Sequence, residues 1–63
     1  SYSEGELQMP ISRIRTLLDD GGRHPITDLL ALNLPKRLLD AALRTMVDEE
    51  IVWMEDGEIF LSE

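Results

Sequence analysis

The residues from Thr27 to Leu61 read, in order, as a helix, a tight turn, a second helix and a β-hairpin. The hairpin is the firmest part of that reading. Asp56-Gly57 stands between two runs rich in β-forming residues, and this pair is the usual filling of a two-residue hairpin turn. Thr27 suits the N-cap of a short helix from Asp28 to Leu32, with Asp28 favourably placed in the helix dipole. Asn33 follows where a positive φ is wanted, and Asn takes that conformation more readily than most residues. Leu34 then plugs the core, and Pro35 opens a helix over residues 35–49 whose buried stripe is expected to be Leu39, Leu43, Met46 and Val47.

Upstream, Ile11, Ile14, Leu17 and Leu18 recur at helical spacing, with Pro10 suited to the first helical position. Gly21-Gly22 ends that helix, because glycine accepts the left-handed conformation of a C-cap. Arg23 to Ile26 is short and marked by Pro25, which suits a brief edge strand. Residues 1–8 are polar and without periodicity, and are expected to be a linker or an expression remnant ahead of a domain over residues 9–63. The fold expected is α+β: a winged helix, with a three-helix helix-turn-helix core and a small antiparallel sheet, or wing. Its core is expected to hold Ile14, Leu17, Leu18, Ile26, Leu29, Leu30, Leu34, Leu39, Leu43, Met46, Val47, Val52, Ile59 and Leu61.

Pairing the hairpin about its turn sets Glu55 opposite Glu58, Met54 opposite Ile59, Trp53 opposite Phe60 and Val52 opposite Leu61. Opposed residues share a face and the faces alternate. Val52, Met54, Ile59 and Leu61 therefore form the core face, while Trp53 and Phe60 share the outer face with two opposed glutamates. Two readings of that outer face stand open. The N-terminal Tyr2, Leu7 and Met9 fold over it, or it is a partner site.

Charge bears on the choice. Residues 1–44 hold six acids and six bases, and the 19 residues after them hold seven acids and no base, so the whole net charge of −7 lies there. A scaffold often met on DNA thus carries a hairpin whose sign repels a phosphate backbone. In the DNA reading, Lys36, Arg37 and Arg44 would be the contacts on the outward face of helix 35–49, with Asp40 and Asp48 cancelling part of their field. On the same helix Leu38 and Ala41, rimmed by Lys36 and Arg37, form a mixed patch closer in kind to a protein contact surface. The candidate protein-interaction residues are Trp53, Phe60, Leu38, Ala41, Glu55 and Glu58, and they suit a partner with a basic, apolar-lined surface.

Catalysis finds little material. The chain has no cysteine and one histidine, His24, and its serines lie in no nucleophile-like context. Glu55, Asp56 and Glu58 do not match a calcium loop. A non-enzymatic domain without cofactor or metal is expected. No apolar run approaches a membrane span. An intracellular setting is expected, in a nucleus or an archaeal or bacterial cytoplasm, and the abrupt start at Ser1 reads as a domain excised from a larger protein.

Ala41-Ala42-Leu43, Met46, Asp48, the polar bend after it and Asp56-Gly57-Glu58-Ile59-Phe60-Leu61 resemble the C-terminal winged helix of the minichromosome maintenance (MCM) replicative helicases, over roughly residues 27–62. The resemblance implies a small domain tethered behind an ATPase ring, regulating it or contacting loading factors. That family's ATPase motifs lie outside these residues, so it implies no catalytic residue here. The acidic winged helix that closes the middle subunit of the eukaryotic single-strand-binding complex, which recruits repair and replication proteins, is similar in physical type. The alternative is the DNA-binding winged helix of a transcription regulator.

Overall fold

The computed structural model describes residues 1–62. Among them are three helices and a three-stranded antiparallel sheet, in the order α1 (Glu4–Leu17), β1 (His24–Pro25), a 3₁₀ helix (Ile26–Leu32), α2 (Lys36–Asp48), β2 (Val52–Glu55) and β3 (Glu58–Leu61). The sheet order is β1-β3-β2, so the last strand lies in the middle.

The N-terminal residues differ from the expected linker. Helix α1 begins at Glu4, because Ser3 and Glu6 form a reciprocal capping box. The Ser3 amide donates to Glu6 Oε1 at 2.7 Å, and the Glu6 amide donates to Ser3 Oγ at 3.2 Å. These bonds satisfy two of the amides that a helix start otherwise leaves unpaired. Pro10 consequently lies inside the helix, not at its start, and is buried there. Leu7, one turn further back, is in the core with Ile14 and Leu18. The spacing of these residues puts one apolar stripe along the whole helix.

The short helix begins at Ile26, with Pro25 and not Thr27 at its N-cap, and it is 3₁₀ rather than α. Its tighter winding turns Leu29 inward and leaves Leu30 71 % exposed, against the expectation that both are core. Asn33 has φ 56°, the left-handed turn residue anticipated, and Pro35 is the N-cap of α2. The buried stripe of α2 is Leu39, Ala42 and Met46, whereas Val47 is exposed. Ala42 is fully buried, and α2 packs against α1 and β2, so the side of α2 that carries this small residue is the inner one.

The hairpin register is the one expected at all four pairs. Asp56 (φ 55°) and Gly57 (φ 76°) both adopt the left-handed conformation of a type I′ turn. Val52 and Ile59 are fully buried and Leu61 is partly so, but Met54 is 40 % exposed. It belongs to β2, an edge of the sheet, which offers it cover on one side alone. Strand β1 pairs His24 with Ile59 and Pro25 with Glu58. The Ile26 amide donates to the Gly57 carbonyl at 2.9 Å and ties the 3₁₀ helix to the hairpin tip.

Candidate functional site

The outer sheet face presents Trp53, 48 % exposed, beside a half-buried Phe60. The cover on Phe60 comes from Arg23. Its guanidinium carbon lies 4.3 Å from the ring centroid, within cation–π range. The same side chain donates from Nε to Glu58 Oε1 at 2.7 Å and from Nη2 to Glu55 Oε1 at 3.3 Å. Glu58 first, and then Glu55, holds the guanidinium above its ordinary pKa, against some desolvation. The two opposed glutamates of the hairpin are thus bridged by one arginine from a distant part of the chain.

Arg23 is the site residue that the sequence reading passed over. The signal lay in the edge strand: continuing the β1–β3 register one residue back sets Arg23 against Phe60 on the outer face. The N-terminal segment is not the cover. Tyr2 and Leu7 instead line a cleft with Arg37, Ala41 and Arg44 of α2, and Met9 is half exposed.

Past Arg23, the acids of the last third stand alone. Asp48, Glu49, Glu50 and Asp56 make no ion pair among the described residues. On α2, Lys36 Nζ is bound to Asp40 Oδ2 at 2.9 Å, while Arg37 and Arg44 have no ion-pair partner among the described residues. Leu38 and Ala41 both pack in part against the core. The structure therefore brings Trp53, Phe60, Glu55 and Glu58 together on one face and leaves Leu38 and Ala41 on another element.

His24, pairing with Ile59 in the sheet, turns away from the outer face. Its Nε2 lies 2.9 Å from Asp20 Oδ1 and its Nδ1 lies 3.6 Å from Asp28 Oδ2. Asp20 foremost raises the imidazole pKa. Asp20 Oδ1 also accepts the Gly22 amide at 2.8 Å, and with His24 this lowers the carboxyl pKa. The two carboxylates meet different ring nitrogens and so do not converge. Among the described residues no group of three or more His, Asp or Glu side chains is placed to hold a metal ion, and no helix is long and apolar enough to cross a membrane.

Comparison of the chain with family models, curated proteins and solved structures gives no match.

Proposed function

We propose that this chain is a winged helix that serves as a non-catalytic protein-interaction and regulatory module of a DNA-replication machine of the MCM-helicase kind, or of a related nucleic-acid machine. The element order supports the fold reading. A strand between the first two helices joins a hairpin that follows the third, and the hairpin's central strand links them. The observation that carries the functional reading is Trp53. A half-exposed indole on the outer wing face, next to Phe60 and near the unpaired Asp56, has the composition of an interface anchor. The surrounding acids select a partner whose surface is basic and apolar-lined.

Trp53 is the sole tryptophan, so its emission reports on this face directly. Titration with a peptide of alternating lysines and leucines shifts that emission to the blue, and Trp53→Phe or Phe60→Ala weakens the binding followed by a label on the peptide. Binding unaffected by either substitution removes the interface from this face. The DNA-regulator reading rests on Arg37 and Arg44, which lack ion-pair partners among the described residues. Tight binding of duplex DNA at low salt, weakening steeply with added salt and on Arg37→Ala, puts that reading in its place.

A further inference from the structure

Three of the six bases of this acidic chain lie on α2. Arg37 and Arg44 stand two turns apart on one side of α2, exposed and without ion-pair partners among the described residues. They border an open cleft of about 710 Å³ between α2 and the N-terminal residues. Its apolar surfaces are Tyr2, 40 % exposed, the buried Leu7 and the partly buried Ala41. Thr45 adds a hydroxyl, and Asp40 at the rim has its charge taken up by Lys36 at 2.9 Å. Ala41, one turn from each arginine, keeps the space between them open.

We propose that this cleft is a second binding site, on a different element from the hairpin face, and that it takes an acidic extended peptide with an apolar side chain between its carboxylates. The spacing supports this. Seven residues along a helix rise about 10.5 Å, and residues three apart in an extended polyproline II segment, which return to the same face, span about 9 Å. Two carboxylates at that separation meet Arg37 and Arg44 together, each able to form the forked pair that guanidinium makes with carboxylate. The side chains between them lie on Ala41 and against the Tyr2 ring.

A short peptide feels mainly the field within a Debye length, about 8 Å at physiological salt. Asp48 and Glu49, unpaired among the described residues and only about 6 and 7.5 Å along the helix from Arg44, oppose any anion there. They oppose a duplex, with one phosphate charge about every 1.7 Å, far more than a peptide with two carboxylates. The balance of charge therefore favours the peptide over the nucleic acid.

The test is a fluorescein-labelled peptide, capped at both ends, with two glutamates three positions apart around a Leu-Phe pair. It is titrated into the full chain by anisotropy and then followed in amide NMR spectra. Saturable binding is expected, with shifts at Tyr2, Arg37, Ala41, Arg44 and Thr45. Arg37→Gln and Arg44→Gln, at exposed positions that leave the core untouched, each weaken it by about tenfold, the scale of one charge-assisted contact. Trp53→Phe leaves it unchanged, which separates this site from the hairpin surface. Three outcomes overturn the proposal: no saturable binding, equal binding of the peptide with both glutamates replaced by glutamine, or tighter binding of a ten-nucleotide oligothymidine at the same two arginines.

Discussion

Arg23 lies over Phe60, its guanidinium carbon 4.3 Å from the ring centroid, while the same group holds Glu58 at 2.7 Å. One side chain thereby covers an aromatic ring and neutralises part of an opposed acidic pair. Opposed like charges in an antiparallel pair are destabilising when nothing bridges them. The expected outcome of Arg23→Met is a chain that keeps its fold, loses stability at low salt and recovers part of that loss as salt screens Glu55 from Glu58. Arg23→Lys does not substitute, because a point charge cannot stack on the ring and bridge both carboxylates at once. Thermal unfolding of the three chains at low and high sodium chloride checks this, and identical salt responses rule the bridge out as a stabilising element.

The contacts of His24 give stability a defined pH dependence. Its pKa is raised from 6.5, chiefly by Asp20 at 2.9 Å, so its contribution is fully present below about pH 6.5 and is lost as pH rises through the higher folded value. Asp20 is lowered from 3.8, chiefly by the same bond, so its contribution is present above about pH 3.8 and is lost as pH falls through the lower folded value. Stability from this pair is therefore greatest between those limits and declines on the alkaline side. Urea midpoints measured from about pH 6 upward, through the raised value of His24, should show the decline, and His24→Gln should flatten it. An imidazole NMR titration at or below 6.5 contradicts the arrangement.

Helix α1 depends on its first residues. Ser3→Ala removes the capping hydroxyl and is expected to cost about 1 kcal/mol. Leu7→Ala, at a buried position, is expected to cost about 2–5 kcal/mol. A domain this small rarely has more than about 3–5 kcal/mol in its core, so the Leu7 variant should be largely unfolded by circular dichroism. Full stability in both variants would make residues 3–8 the linker that their polarity suggests.

The hairpin was legible because its information is local: Asp56-Gly57 sets the turn, the turn sets the register, and the register assigns faces. Asn33 was legible for the same reason. The start of α1 is written in Ser3-x-x-Glu6, a capping-box pattern, but the polar residues around it and a proline that favours a first helical position point to a later start. What local pattern could not give were choices made by packing. Leu30 and Val47 are apolar at plausible spacing, yet the tight 3₁₀ turn leaves Leu30 outside and the inward stripe of Leu39, Ala42 and Met46 leaves Val47 outside. Arg23 was hidden for a related reason: its partners are more than thirty residues away and meet it through a two-residue strand.

That packing choice on α2 is testable. Ala42 is fully buried in the core, so Ala42→Leu should overpack it and cost about 1–3 kcal/mol. Val47→Ala, at a position 41 % exposed, should change stability by no more than about 0.5 kcal/mol. Chemical denaturation of the two variants distinguishes this stripe from one centred on Val47, for which the two effects reverse.

Two left-handed residues flank β2 and predict effects of opposite sign. Gly57 has φ 76°, and Gly57→Ala forces a side chain into a conformation that costs an L-residue about 1–2 kcal/mol. Glu50 has φ 59° at the bend between α2 and β2, where its carbonyl accepts the Ser62 hydroxyl at 2.6 Å. The bend is fixed by this bond to the Glu50 carbonyl and by that of the Ile51 amide to the Met46 carbonyl at 2.8 Å, so the Glu50 side chain is not what holds it. Glu50→Gly removes the conformational cost and keeps the bonds, and is expected to stabilise the chain by up to about 1 kcal/mol once the added freedom of the unfolded glycine is counted. It also removes one of the crowded acids Asp48 to Glu50, a change that acts in the same direction and is screened by salt. Comparing urea midpoints at high salt isolates the backbone effect: stabilisation that persists there belongs to the φ of residue 50, and stabilisation that vanishes belongs to its charge.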